Sequence, residues 1–438
     1  MSSLPTERTA LLESNGAAYS SNGHPSFASR VLHAVKSEGE PSWAASYKYF
    51  ITSSWLNTLL VFIPLSFISH HLDWDAALRF SFSFLAIVPL AKLLGDATEQ
   101  LSFKLGPTLS GLLNASFGNA VEIIVGIAAL LQDEIRIVQT SMLGSILSNL
   151  LLVLGCSFLA GGLKRPENKF NSSGALMSSS LMTLACITLV LPAAYHSSKW
   201  KDQIPFGNGE EITKELLTSF SGSDGVTPVR DPAKSGLLTI SRGTAILLLF
   251  VYVAYLFFQL KTHANFFERS ESEHGLEDEE EEHEEQEMNV FAAGTALLIV
   301  TIVTSFCADY LVASIEETAT RYNIPKTFIG IILLPIVANA AEHVTSVWMA
   351  MKNKTELTIG ICIGSSIQIA TFVVPLLVIV GWISGHELTL FFADFETITL
   401  FVSVLLVNML IMDGASNYME GLMLVTLYLV IALAYWVS

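Results

Sequence analysis

Long apolar stretches that recur from residue 51 to the C-terminus constrain this chain more than any other feature. Eleven can be placed, at 51–69, 78–95, 108–131, 138–162, 174–195, 243–261, 289–312, 327–351, 358–383, 397–412 and 418–437. Stretches of this length cross a hydrocarbon layer of about 30 Å as helices, since the strands of a membrane barrel are shorter and alternate in polarity. We therefore predict an all-α integral membrane protein with about 11 transmembrane helices.

Composition excludes several function classes. Hydrophobic residues make up 51% of the chain and charged residues 14%, against about a quarter charged in a soluble protein. The net charge is −17, but twelve of the 40 acidic residues lie within Glu268–Glu287. With no basic patch to match a phosphate backbone, nucleic-acid binding has no support. The four cysteines lie singly in apolar runs, which predicts packing residues rather than a zinc site.

The distribution of Lys and Arg predicts the orientation of the chain. Residues 1–48 are mostly polar, and we expect them to form a disordered tail without a cleavable signal peptide. With this tail in the cytosol, cytosolic segments carry 13 basic residues and the opposite side carries 10, six of which lie in the long loop 196–242. Long loops count less, and without this one the comparison is 13 to 4. We expect a cytosolic N-terminus and a C-terminus on the far side.

An internal repeat relates two parts of the chain. Gly118-Asn119-Ala120-Val121-Glu122 matches Ala338-Asn339-Ala340-Ala341-Glu342 at an offset of 220, and Gly144-Ser145 matches Gly364-Ser365 at the same offset. The sequence predicts one N-terminal helix (51–69) and two five-helix repeats (78–261 and 289–437), joined by an acidic cytosolic linker (262–288). An odd number of helices per repeat inverts the second copy, an arrangement typical of secondary transporters, whose ion sites lie where the repeats meet.

Glu122 and Glu342 are the candidate ion ligands. Each lies about half-way along a strongly apolar span, where a charged group costs at least about 2.5–3.5 kcal/mol on insertion scales. The alternative is a protonated glutamate in a helix-packing hydrogen bond, which two matching positions make less plausible. Further oxygen ligands come from side chains at helical spacing near the glutamates: Asn119, Asn339, Ser145, Ser148, Ser365 and Gln368. An all-oxygen set favours calcium, magnesium or manganese over zinc or copper.

The paired carboxylates also suggest how protons take part. Two carboxylates in a low-dielectric cavity do not both ionise easily, so the empty site takes up protons, and a bound divalent cation drives them off. A site that holds either protons or a metal ion suits an antiporter. His343, directly after Glu342, has Ile123 as its counterpart; it is read either as a structural histidine or as a proton relay.

The acidic linker offers a second candidate site. It contains Glu277, Asp278, Glu279, Glu280, Glu281 and Glu282 in succession. Such a run is often only a solvated segment, but its residues are good helix formers without a proline, and a divalent cation would relieve their repulsion. Clustered carboxylates suit calcium, although the spacing of an EF-hand is absent. We interpret the run as a candidate regulatory calcium site.

The two Asn-x-x-Glu motifs, the Gly-Ser pairs and the acidic linker resemble the cation/proton exchanger family, most closely the fungal vacuolar calcium/proton exchangers. The resemblance covers about residues 50–437. It implies that Glu122 and Glu342 bind calcium and exchange protons, that the first helix lies outside the repeats, and that the linker faces the cytosol. Ala338, where a strict repeat would have glycine, departs from the pattern.

The expected function is therefore secondary active exchange of cytosolic calcium for protons of an acidic store, with calcium and protons as the transported ions and without a cofactor. A sodium/calcium or manganese exchanger is the near alternative. A channel fits the inverted repeat less well, and an intramembrane enzyme lacks an HExxH or a paired-aspartate motif. Glu7, Leu11 and Leu12 fit the acidic dileucine form that sorting adaptors read, which with the resemblance predicts a multi-pass protein of the vacuolar membrane.

Overall fold

The computed structural model describes residues 41–170, 172–203, 232–263 and 287–437. The dileucine positions and the acidic run from Glu277 to Glu282 lie outside the described residues. The α-helices are α1 (Trp43–Thr52), α2 (Phe62–His71), α3 (Ala76–Phe117), α4 (Ala120–Leu131), α5 (Ile135–Leu147), α6 (Leu154–Lys164), α7 (Ser172–Gln203), α8 (Pro232–Phe257), α9 (Val290–Tyr322), α10 (Lys326–Phe328), α11 (Leu334–Ala338), α12 (Ala340–Met351), α13 (Thr355–Gln368), α14 (Val374–Ser384), α15 (Asp394–Leu410) and α16 (Tyr418–Val437).

Irregular segments connect several of these helices. A 3₁₀ segment, Trp55–Val61, leads into α2. Four π-helical segments follow α5, α8, α10 and α13, at Ser148–Val153, Phe258–Thr262, Ile329–Leu333 and Ile369–Val373. The short strands β1 (Asn168–Lys169) and β2 (Ala415–Ser416) pair antiparallel. The described chain is otherwise almost entirely helical, as the sequence predicted.

Seven helical stretches in the described part of the chain are long and apolar enough to cross a membrane, and nine if each of two bent pairs is one span. The bent pairs are Trp43–Thr52 with Trp55–His71, at 92°, and Lys326–Ala338 with Ala340–Met351, at 59°. The tenth predicted span corresponds to α15, which has only 17 residues. The number of eleven spans therefore stays a prediction.

Three sequence predictions about helix boundaries are wrong. Helix α1 begins at Trp43, inside the predicted tail, because Ser42 caps it and the Tyr47 hydroxyl contacts Thr295 Oγ1 at 2.8 Å. No loop separates the spans predicted at 78–95 and 108–131, because one helix runs from Ala76 to Phe117 and includes Gly106 and Pro107. Conversely, the spans predicted as continuous over 108–131 and 327–351 are interrupted at Asn119 and Asn339, respectively.

The element boundaries in the two halves repeat at the same offset of 220 as the motifs. Helices α4 and α12 begin and end at matching positions, as do α6 and α14, and α5 and α13 begin at matching positions. The turns before α5 and α13 each contain a left-handed residue, Asp133 (φ 59°) and Asn353 (φ 66°). Aspartate and asparagine tolerate this conformation better than most residues. The sequence repeat is therefore matched by a repeat of local structure.

The two ends of the bundle differ in their contacts. At one end, which we call the ribbon side, β1 after α6 pairs with β2 before α16. At the other end, which we call the ion-pair side, charged residues join the helix ends: Arg321 with Asp75, Lys326 with Glu134 and Glu316, His386 with Asp133, and Arg136 with Glu396. These contacts assign most helix ends of the described chain to one side or the other.

Candidate ion-binding site

Both asparagine motifs lie where a helix is interrupted. The chain leaves α3 at Gly118, and Asn119 precedes α4, whose first turn contains Glu122. Asn339 likewise separates α11 from α12, whose first turn contains Glu342. At each break the C-terminus of one helix, the negative end of its dipole, meets the N-terminus of the next. Interrupted helices of this kind form ion sites in transporters because they bring backbone and side-chain oxygens together inside the membrane.

Two hydrogen bonds cross between the halves at this point. Asn119 Nδ2 donates to Gln368 Oε1 at 2.5 Å. Asn339 Nδ2 donates to the Ser145 carbonyl oxygen at 3.2 Å. Because both bonds use the amide nitrogen, the Oδ1 atoms of the two asparagines are left buried without a hydrogen-bond partner. Each helix break is thus hydrogen-bonded to the opposite half of the chain.

The two glutamates present further acceptor atoms without donors. Glu122 is 2% exposed and its Oε1 has no partner, while Glu342 is half-buried and its Oε2 is buried without a partner. Buried acceptors without donors cost free energy, and a cation in contact with them would remove that cost. The breaks therefore supply two carboxylate and two amide oxygens that suit a hard cation.

The remaining predicted ligands surround these atoms unequally. Ser145 in α5 and Ser148 in the following π-helical segment are almost fully buried. Ser365 and Gln368, in α13, are partly exposed and line a cavity together with Glu342. His343 is half-buried and lines neither this cavity nor the second large one described below.

No group of three or more His, Cys, Asp or Glu side chains among the residues that the structure describes could hold a metal ion by itself. The donor set at the breaks is mixed instead, with amides and hydroxyls beside two carboxylates. A mixed oxygen set of this kind matches calcium better than a metal that prefers thiolate or imidazole ligands.

A cavity of about 440 Å³ connects Glu342 with the ribbon side. Its wall follows α13 from Glu356 in the first turn to Gln368, and it also includes Phe170, just after β1, and Gln259 near the end of α8. The site is therefore accessible from this end of the bundle in the present conformation. A second cavity of about 480 Å³, lined by Lys92, Asp96 and Glu99 among others, opens beside α3.

The corresponding region of the first half is closed. A Cβ atom on Gly144 would overlap the Ile331 carbonyl oxygen and lie 2.7 Å from Pro335 Cγ, so α5 packs directly against the segment before the second break. Its repeat counterpart, Gly364, has nothing within 4 Å of an added Cβ. Two positions that are equivalent in sequence thus differ in packing, and only the second-half position faces open space.

The sequence patterns did not identify two residues, one beside the site and one at the far end of the cavity. Asn149, next to Ser148 in the π-helical segment, is 0% exposed and has no partner for either amide atom. In the sequence, Asn149 is recognisable as an amide side chain inside an apolar run. Its repeat counterpart is Ile369, so a comparison of the two halves does not single it out. Glu356 lies at the cavity end near the loop 352–354, where a carboxylate at a helix start reads as an ordinary surface residue.

Sequence comparisons find relatives that match most of this chain. The chain is 44% identical over 392 residues to the vacuolar calcium ion transporter of Schizosaccharomyces pombe, covering 89% of this chain and 86% of that protein. It is 41% identical over 398 residues to vacuolar cation/proton exchanger 2 of Oryza sativa subsp. japonica, covering 90% and 84%. These relatives confirm the resemblance that the two motifs predicted.

Solved structures share the fold. Native YfkE superposes with a TM-score of 0.68 at 32% identity, covering 87% of this chain and all of that one; a second structure of the same protein is described as a Ca²⁺/H⁺ antiporter. The H⁺/Ca²⁺ exchanger CAX has the same fold, with a TM-score of 0.60 at 14% identity. The model of the family described as sodium/calcium exchanger protein matches residues 76–261 and 293–437. The chain therefore belongs to the sodium/calcium exchanger protein family.

Proposed function

We propose that this chain is a secondary active antiporter that exchanges calcium for protons and moves cytosolic calcium into an acidic store. The observation that carries the proposal is the set of unpartnered buried oxygens at the two helix breaks, which includes one carboxylate from each half. The relatives named as calcium or cation/proton exchangers support calcium and protons as the ions.

Glu122 and Glu342 are the calcium ligands and the proton carriers of this mechanism. Calcium entering through the cavity meets Glu342 first and then Glu122, which lies deeper. The cation favours the ionised carboxylates, so their protons leave as it binds. The Oδ1 atoms of Asn119 and Asn339 complete the neutral part of the shell, with Ser145, Ser148, Ser365 and Gln368 around it.

The chain comprises one N-terminal helix and two inverted five-helix repeats, 78–261 and 289–437, which make eleven spans. The matching boundaries of α4 with α12 and of α6 with α14 support this layout. Alternating access then exchanges the arrangements of the two halves: the packing of Gly144 against Ile331 opens while the space beside Gly364 closes. The two hydrogen bonds that cross the site would break and reform in this transition.

The ribbon side faces the cytosol and the ion-pair side faces the lumen of the vacuole. The excess of Lys and Arg in the short loops on the ribbon side supports this orientation. The acidic segment Glu277–Glu282 is then cytosolic and regulates the rate through calcium binding. The dileucine positions Glu7, Leu11 and Leu12 serve sorting to the vacuole.

The test is calcium uptake into vesicles reconstituted with the purified protein. We expect uptake when the vesicle interior is acidic, its loss when a protonophore abolishes the pH gradient, and no restoration by an outward sodium gradient. Uptake that follows the sodium gradient would replace this proposal with sodium/calcium exchange. Uptake of manganese in preference to calcium would change the substrate but leave the proton coupling in place.

A further inference from the structure

The two mouths of the transport route carry opposite charges at equivalent positions. Glu356, in the first turn of α13, corresponds at the offset of 220 to Arg136, in the first turn of α5. The repeat therefore places one residue at the ribbon side and the other at the ion-pair side. Symmetry would predict the same chemistry at both mouths, so this difference calls for a functional reason.

Glu356 borders the cavity that reaches the site. From Glu356 to Gln368 the wall of the cavity follows twelve residues of α13, which corresponds to about 18 Å at 1.5 Å per residue. Gly360 and Gly364 lie along this wall, and an added Cβ on either would have nothing within 4 Å. A hydrated cation entering through this cavity would therefore pass Glu356 before it reaches Glu342.

Two positively charged residues precede the helix that carries Glu356. Lys352 and Lys354 lie in the turn directly before α13, with Lys352 over the ring of Trp348 at 5.4 Å. The N-terminus of α13 adds the positive end of its helix dipole. Glu356 offsets part of this positive charge and so weakens the repulsion that a divalent cation meets at the mouth of the cavity.

At the other mouth, Arg136 is bound to the buried Glu396, whose second carboxylate oxygen accepts a hydrogen bond from the Ala393 N–H at 3.0 Å. This ion pair joins the start of α5 to the start of α15. Arg136 thus forms an ion pair within the packed ion-pair side, whereas its repeat counterpart Glu356 lines the cavity on the ribbon side.

We propose that Glu356 is a cation-recruiting residue of the ribbon-side mouth, which lowers the calcium concentration needed for transport from that side and not from the other. This inference rests on the proposed calcium/proton exchange. Glu356 does not replace a ligand of the central site: it acts on the cation before binding, through charge, so its effect lies in the KM for calcium rather than in kcat.

The experiment compares Glu356→Gln with Glu167→Gln, which removes the same charge from an exposed ribbon-side residue that is not among the cavity-lining residues. In vesicles with the ribbon side outward at low salt, Glu356→Gln should raise the KM for calcium about three- to five-fold, the size of a partly exposed charge interaction. The kcat should stay unchanged, and Glu356→Asp should restore the KM. The difference should shrink at high ionic strength.

An unchanged KM in Glu356→Gln, an equal rise in Glu167→Gln, or a fall in kcat alone would overturn the inference. An equal rise in KM for transport started from the ion-pair side would also overturn it. Failure of the proposed function looks different, because calcium uptake would then no longer depend on the pH gradient, whatever Glu356→Gln does to the KM.

A second variant tests the route itself. Gly360→Leu introduces a side chain into open space, so it should fold normally but narrow the cavity, whereas Gly360→Ala should be neutral. Lower uptake in Gly360→Leu at normal abundance supports entry past Glu356. Normal uptake would show that calcium enters elsewhere and would overturn the recruiting role.

Discussion

Replacing either site glutamate by glutamine tests the two-carboxylate mechanism directly. Glu122→Gln and Glu342→Gln keep the size and most hydrogen-bonding capacity of the side chain but remove one charge and one proton carrier. At each break the lost charge belongs to a carboxylate with an oxygen that has no protein partner. The protein cannot replace the missing charge for the cation, so the binding free energy must fall.

The size of the loss follows from burial. Removing one member of a buried charge pair costs about 3–5 kcal/mol, which weakens binding between about 100-fold and about 4,000-fold at 1.4 kcal/mol per tenfold step. Glu122 is 2% exposed whereas Glu342 lines the cavity. Water screens Glu342 more, so we expect Glu122→Gln to reach the upper part of this range and Glu342→Gln the lower part.

The assay measures initial calcium uptake into acid-loaded vesicles over a range of calcium concentrations and of external pH, at matched protein abundance. Wild-type apparent affinity should fall as the pH falls, because protons compete with calcium for both carboxylates. With one carboxylate left, the dependence of the logarithm of affinity on pH should drop from a slope of about two to about one. Glu167→Gln, which changes an exposed residue that lines neither cavity, should behave like the wild type.

Normal uptake in either single variant would refute the reasoning. An unchanged pH slope with weakened affinity would show that the carboxylates bind calcium without carrying the protons. Loss of the protein from the vesicle membrane would leave the variants unassayed, so abundance and monodispersity in detergent are measured first, with wild-type levels expected because glutamine is uncharged and fits the same space.

Three further outcomes are expected. Neutralising the acidic residues in Glu277–Glu282 should change the calcium dependence of the rate without altering proton coupling; loss of all exchange at saturating calcium would contradict a regulatory role. Gly144→Ala should destabilise the protein by about 1–3 kcal/mol and lower its melting temperature in detergent, whereas Gly364→Ala should leave the melting temperature unchanged, and equal effects would contradict the packing difference. Two carboxylates carry two protons, so a proton-to-calcium ratio above two at zero membrane potential requires a third group, with His343 as the first candidate; a ratio of two in both wild type and His343→Ala would exclude the histidine.

The sequence predicted the residues of the candidate site better than the course of the backbone through it. Motif repetition and the cost of a charge in a membrane single out Glu122 and Glu342 without any coordinates. The predicted spans do not locate the helix breaks at Asn119 and Asn339, because apolar runs continue through both positions. Hydropathy reports burial in lipid, whereas an interruption of the helix depends on which tertiary contacts satisfy the released backbone groups.

The difference between the two mouths comes from positions at which the two halves have different residues, and a search for shared motifs passes over such positions. Aligning the halves emphasises what they share, so Ser145 and Ser365 appear equivalent although one is almost fully buried and the other lines a cavity. The same alignment contains the positions where the halves differ, such as Arg136 against Glu356 and Asn149 against Ile369. An inverted repeat with identical halves would have two equivalent states and no preferred side. Residues that break the repeat are therefore where a difference in apparent calcium affinity between the two sides should be encoded, and the carboxylate at the open mouth is the first of them to test.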